Sequence, residues 1–164
     1  MRLALTLPAS PVRFELAVGY SIRNAVASDY GALVAFLDEF LRRDYFIRRR
    51  QLQEILGGRY HEALLAVDDE RILGVAITTR RLRTLVNLLV RPCERKRGIA
   101  DALLFRLRVE RIRVKTNVSD GDPTGYYLKR GYRMSPERTG KPHIRIAVVD
   151  LDSPPNWTRF ATNG

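Results

Sequence analysis

The stretch 82–109 constrains the fold of this chain more than any other. It opens with an apolar run, 82–90, and turns at Arg91-Pro92-Cys93-Glu94. It then passes through Arg95-Lys96-Arg97-Gly98-Ile99-Ala100 and ends in an amphipathic segment. Leu82, Thr84, Val86, Leu88 and Val90 fall on one face at period two, the mark of a strand. Ile99, Leu103 and Leu107 recur every four residues with Ala100 and Leu104 beside them, which is the apolar stripe of a helix. The order is therefore strand, basic glycine loop, helix.

The loop holds a local conflict. Three cations stand just before a helix N-terminus, where the macrodipole is already positive and Asp or Glu would be favoured. An anion bound at the free N–H groups of the first turn removes the conflict. Gly98 and Ala100 would let a phosphate come close to the backbone. A solvated basic turn is the alternative that charge and glycine alone leave open. The G-K-[ST] of a nucleotide P-loop and the G-x-G-x-x-G of a dinucleotide fold are both missing.

Arg95-x-x-Gly98-x-Ala100 after a strand ending Leu89-Val90 resembles the acetyl-CoA signature of the GNAT acyltransferase superfamily, Arg/Gln-x-x-Gly-x-Gly/Ala. Downstream, Tyr126-Tyr127-Leu128-Lys129-Arg130-Gly131-Tyr132 is similar to that family's Tyr-x-x-x-Gly-Phe/Tyr segment. The two occur in the family's order, and the resemblance covers 20–151. It implies an α/β fold with a central twisted, mostly antiparallel sheet. One parallel βαβ pair would splay at the cofactor site, with helices on both faces.

Composition sets outer limits. A chain of 164 residues is one ordinary domain with room for a core. Its 45% hydrophobic and 29% charged residues describe a soluble globular protein. No apolar run approaches a membrane span, and the first eight residues make a poor signal peptide, so a cytoplasmic location and no membrane partner are expected. A single cysteine, Cys93, excludes an internal disulfide and suits a reducing compartment. Two histidines and one cysteine argue against an ordinary zinc site, so no metal is expected. The net charge of +11 favours phosphorylated or polyanionic partners. Coenzyme A would account for part of it; nucleic acid, an acidic protein or water are open for the rest.

Taken in order, 1–19 reads as a loose arm or an extra edge strand, 20–152 as a single domain and 153–164 as a tail, with Trp157 and Phe160 available to pin it. Residues 20–24 look like a first strand, capped onward by Ser28 or Asp29. Leu33, Phe36, Leu37, Phe40 and Leu41 make a helix stripe. A second helix over 49–56 stops at Gly57-Gly58. Arg42, Arg43, Arg48, Arg49 and Arg50 cluster here, either as a solvated face or as a substrate-side or RNA-contacting patch. Residues 63–67 and 72–79 form a hairpin. Residues 111–118 alternate as the strand that completes the βαβ unit and its parallel pair. Asp122 as N-cap, Pro123 at the first helical position and Gly131 at the close frame a short helix carrying Tyr126 and Tyr127. Residues 132–134 and 143–151 are the closing strands.

The resemblance implies acetyl transfer from acetyl-CoA to a primary amine by direct attack. It places the oxyanion donors on the backbone of Leu88, Leu89 and Val90. The pyrophosphate would lie on Arg95, Lys96, Arg97, Gly98, Ile99 and Ala100, with Arg95 and Arg97 adding charge. Pantetheine would run near Asn117. Tyr127 holds the family's general-acid position, where a phenol of pKa about 10 can protonate a departing thiolate; the alternative is a packing role. An Asn-x-x-Ala often precedes the family's tyrosine, but Asp120 and Pro123 stand there. No general base is identifiable; Glu39, Asp44, Glu54 and His61 are candidates by position. Cys93 reads as a small loop residue. The acceptor is a small-molecule or protein amine. The competing readings are a charged tRNA as acceptor, or a GNAT-fold module that binds nucleic acid through its basic face. A homodimer is left open.

Overall fold

The structure is a computed structural model that describes residues 14–16, 19–40, 47, 49–69, 71–118 and 121–150. An eight-stranded sheet runs β1 (Phe14–Leu16), β2 (Tyr20–Asn24), β3 (His61–Asp68), β4 (Arg71–Thr79), β5 (Thr84–Val90), β6 (Arg111–Lys115), β8 (Ile144–Val149), β7 (Tyr132–Met134). Every pair is antiparallel except β5 with β6. The parallel pair follows from the helix between those strands, since a chain can return parallel only through a crossover. Part of 1–19 thus forms the edge strand β1. The remainder of that arm, the tail with Trp157 and Phe160, and Leu41, Arg42, Arg43, Asp44, Arg48 and Asp120 lie outside the described residues.

Two cores sandwich the sheet. On one face α1 (Tyr30–Phe40) and α2 (Arg49–Leu56) bury Leu33, Phe36, Leu37, Leu52, Ile55 and Leu56 against Leu65, Val75 and Ile77. A 3-10 turn over Ala27–Asp29 leads into α1, and Asp29 takes the Val26 N–H at 2.8 Å. On the other face α3 (Ile99–Leu107) buries Ile99, Leu103, Leu104 and Leu107, joined by α4 (Thr124–Leu128). Burying such a side chain contributes about 1.5–3 kcal/mol. The helix boundaries of α2 match the sequence reading, with Gly58 at φ 73 closing it.

The faces of β5 differ from the simple alternation. Its register with β4 shifts between Ile77↔Asn87 and Thr78↔Leu85, so Val86 is an extra residue, a bulge. One extra residue turns the side chains after it to the opposite face. Leu85 therefore packs on the α3 side and Val86 on the α1/α2 side, while Leu88 and Val90 return to the α3 side and Leu89 faces the other. The expectation that Leu82, Thr84, Val86, Leu88 and Val90 share a face is corrected accordingly; Leu82 stands in the preceding turn, 61% exposed. The bulge is tied down by two hydroxyls. Thr78 donates to the Thr84 carbonyl at 3.0 Å, and Thr79 Oγ1 accepts from the Thr84 N–H at 3.1 Å.

Candidate active site

Beyond the bulge β5 and β6 part. Their ladder contains only Thr84↔Arg111 and Leu85↔Ile112, although β5 runs on to Val90 and β6 to Lys115. Arg91 N–H donates to Leu73 O on β4 at 2.7 Å. Successive strand N–H groups alternate in direction. Leu89 is therefore aimed at β4, whereas Leu88 and Val90 turn N–H and C=O toward the gap that β6 has left. A cavity of about 840 Å³ fills this gap. Leu88, Leu89 and Val90 line one wall, Ile112, Val114 and Val118 another, Arg95, Lys96, Gly98, Ile99 and Ala100 one end, and Tyr126 and Tyr127 a side.

The loop reaches that end through unusual backbone. Lys96 at φ 67 and Gly98 at φ 76 are left-handed, and Gly98 N-caps α3, whose first bond runs from Ala102 N–H to Gly98 O at 2.9 Å. A left-handed Lys is strained, and such strain is commonly held at ligand sites. The N–H groups of Ile99, Ala100 and Asp101 have no partner within the helix. The three cations diverge: Arg95 and Lys96 line the cavity, but Arg97 is turned away. Arg97 pairs with Glu94 and lies over the Tyr20 ring at 5.6 Å. Glu94 is buried beneath the loop and also takes Arg71 at 2.6 Å. Arg97, then Arg71, holds this carboxyl below the usual carboxylate range. Arg97 thus stands outside the cavity lining and braces the loop from behind, and Glu94 offsets part of the local charge conflict. Asn117 is exposed and stands outside the described lining, where Lys115 and Val118 are found instead.

Asp101, in the first turn of α3, would oppose an anion if left alone. It is neutralised by Arg130, whose second contact is 3.2 Å, and it accepts the Tyr126 hydroxyl at 3.2 Å. Arg130 lies 3.4 Å from the Tyr126 ring centroid. Burial, then Asp101, pushes the Tyr126 phenol well above its ordinary value. Tyr126 is therefore a half-buried, committed residue rather than an exposed one. Tyr127 is 9% exposed and lines the cavity, with its ring edge-on to Tyr126 at 5.2 Å and Tyr132 at 6.1 Å. Asp122 Oδ1 accepts the Thr124 N–H at 2.9 Å, capping α4 from one place before its N-cap residue Pro123. Gly131 at φ 88 follows the helix.

Asn87 is a lining residue of the cavity that the sequence reading did not single out. It lines the cavity, is 6% exposed, and its Oδ1 has no hydrogen-bond partner among the described residues. A buried amide left unpaired costs about 1–3 kcal/mol, so a ligand bringing N–H groups fits this wall. The only sequence signal was one amide inside an apolar run. Of the described base candidates, Glu39 and Glu54 line neither this cavity nor the adjoining groove; His61 lines the groove. Burial lowers the His61 pKa, partly opposed by Glu54. Arg49 and Arg50 are exposed, loosely paired with Asp38 at 3.6 Å and Glu54 at 3.7 Å, as on a solvated face. Cys93 is exposed. Among the described residues, no helix is long and apolar enough to cross a membrane.

Several solved structures share this architecture. PaiA N-acetyltransferase from Thermoplasma acidophilum, in complex with coenzyme A, aligns with a TM-score of 0.62 at 15% identity over 80% of this chain and 99% of that one. NAA60 from Arabidopsis thaliana, in complex with acetyl-CoA, gives 0.66 at 16% identity over 82% and 99%. The ribosomal-protein-S18-alanine N-acetyltransferase from Escherichia coli gives 0.58 at 16% over 79% and 90%. At such identities the likeness is one of fold. No curated protein sequence matches this one. The family model for the acetyltransferase (GNAT) domain matches residues 29–148, most of the chain. With the splayed strands, the glycine loop and the tyrosine helix in the order that family requires, the chain belongs to the GNAT acetyltransferases, enzymes that use acetyl-CoA.

Proposed function

We propose that this protein moves an acetyl group from acetyl-CoA to a primary amine by direct attack, with Tyr127 as general acid. The observation that carries the reading is the single cavity. It joins the gap-facing N–H groups of Leu88 and Val90, the Arg95–Lys96–Gly98 loop and Tyr127. Acetyl-CoA supplies the activated acyl group as a thioester. Arg95, Lys96 and the first-turn amides of α3 hold phosphate charge, helped by the helix dipole. The parted edge of β5 offers Leu88 and Val90 as strand partners for an amide-bearing arm, and Asn87 adds a side-chain acceptor. A fixed N–H aimed at developing negative charge lowers the barrier by about 2.7–4 kcal/mol. The Tyr127 hydroxyl then gives its proton to the departing sulfur. His61, whose pKa burial lowers, is the one described base candidate that lines the adjoining groove, and it takes the proton of the attacking amine through water.

Tyr127→Phe removes one oxygen and keeps the ring edges against Tyr126 and Tyr132. Loss of a general acid costs about 10²–10⁴-fold in rate. The expected result is that kcat falls by that factor while the calorimetric Kd for acetyl-CoA holds. Tyr126→Phe, whose hydroxyl is committed to Asp101, should lose far less. Full activity in Tyr127→Phe on a verified acceptor removes the catalytic assignment and leaves the fold untouched.

A further inference from the structure

A second groove, of about 920 Å³, adjoins the first cavity. The two share Leu85, Val86, Arg113 and Lys115, the residues where β5 and β6 part. The groove lies on the sheet face opposite α3, because Ile112 and Val114 bury toward α3 and leave Arg111, Arg113 and Lys115 on the other side. Six cations line it: Arg59, Arg80, Arg81, Arg111, Arg113 and Lys115. No Asp or Glu does so among the described residues. Among the described residues, two carboxylates reach its margins: Glu62 holds Arg83 at 2.9 Å and touches Arg80 only at 3.9 Å, and Glu137 pairs with Arg111 at 2.7 Å. The cations outnumber these two.

We infer that this groove receives an extended acidic peptide, its terminal amine at the shared junction and its carboxylates on the guanidinium wall. This rests on reading the first cavity as the acetyl-CoA side. The match is one of period as well as charge. Alternate residues of β6 are about 6.6 Å apart, and alternate side chains of an extended peptide repeat at the same interval. Arg111, Arg113 and Lys115 thus form a ladder that meets every second side chain of a strand-like ligand. Arginine forks pair with carboxylates in two-point geometry. Tyr60 and Leu82, two of the exposed large hydrophobic residues at 62% and 61%, add apolar floor for the peptide's other face. A single-stranded nucleic acid would call for several open aromatic platforms. Among the described lining residues Tyr60 is the only Phe, Tyr or Trp, and Arg59 already covers it at 5.0 Å.

The test uses the full chain and three pentapeptides with free terminal amines: Ala-Asp-Ala-Asp-Ala, Ala-Asn-Ala-Asn-Ala and Ala-Lys-Ala-Lys-Ala. A short oligouridylate is the fourth probe. Calorimetry with coenzyme A present gives each Kd, and thiol release gives turnover. The acidic peptide should bind about tenfold more tightly than its Asn counterpart, the sum of two partly exposed ion pairs. The Lys peptide should bind weakest, and rising salt should compress the differences. Arg59→Glu with Arg81→Glu, both in surface turns, should narrow the preference for the acidic peptide over the basic one severalfold, since Arg80 and the β6 cations remain, and leave the coenzyme A affinity alone. Equal affinities, a preference undiminished in the double variant, or tighter binding of the oligouridylate would each overturn the inference. Selective binding without turnover supports the groove and counts against the catalytic reading. Equal turnover of all three peptides does the reverse.

Discussion

Gly74 on β4 sits where α3 crosses the sheet. A Cβ there would lie 3.1 Å from Ile99 Cγ2, 3.2 Å from Leu89 O and 3.4 Å from Leu103 Cδ1. Ile99 begins α3 directly after the glycine loop, and Leu89 belongs to the parted stretch of β5. The side-chain contacts can yield by rotation. The carbonyl cannot, because Leu89 is laddered to Val75. Gly74→Ala must therefore lift α3 or push β5 by a few tenths of an ångström, and overpacking of this kind costs about 1–3 kcal/mol. For a chain of this size each kcal/mol moves Tm by about 2–4 °C, which gives a fall of about 2–12 °C. The same movement shifts the loop amides against β5, so the Kd for acetyl-CoA should rise several-fold. Thermal unfolding followed by circular dichroism gives the first quantity and calorimetry the second. A Tm within about 1 °C of the parent, with unchanged affinity, would refute the claim that α3 and the cofactor wall are set by this contact.

Asn87→Leu keeps the volume and deletes an unpaired buried amide, so the free protein should gain about 1 kcal/mol while its acetyl-CoA affinity falls; unchanged affinity would sink the ligand role of Asn87. Asp29 is held below the usual carboxylate range by the Arg23 hydrogen bond first and the Val26 N–H next, against the opposing effect of burial. A depressed folded pKa gives stability that is present above the unfolded value of about 3.9 and is lost as pH falls through the folded one. Tm should therefore drop in acid, and Asp29→Asn should lower Tm at neutral pH and flatten the acid limb; an identical acid limb in the variant would count against the pair.

The central unit was legible because it uses two periods and a charge anomaly within 28 consecutive positions, 82–109. A strand, a glycine at the turn and a helix stripe each announce themselves locally, and α2 did the same through Gly57 and Gly58. What stayed hidden depends on long-range partners. The bulge at Val86 exists only in register with β4, so the apolar run looked like uninterrupted alternation. Arg97 looked equal to Arg95, because its partners Glu94 and Tyr20 act through the fold of the loop and the position of β2. Asn87 carried no signal beyond its type. The basic groove was the least visible, since its cations come from residues 59, 80–81 and 111–115, which the sheet brings together. The contiguous arginines near 42–50 drew attention instead, and the two that are described face solvent.

One irregularity underlies both halves of the site. Without the bulge, β5 would stay laddered to β6 for its full length and its inward amides would be spent on the sheet. At Val86 β5 parts from β6, and Leu88 and Val90 turn their N–H groups to the gap. The first cavity, which reaches from Ile99 on the α3 side to Phe40, Val86 and Leu89 on the other, and the cationic groove then share Leu85 and Val86 on one lip and Arg113 and Lys115 on the other. Under the proposed function, such an opening would admit the acetyl donor and the acceptor amine from opposite faces. The Thr78 and Thr79 hydroxyls that hold the Thr84 backbone are accordingly part of the site's architecture: they hold the chain at the point from which the strands part.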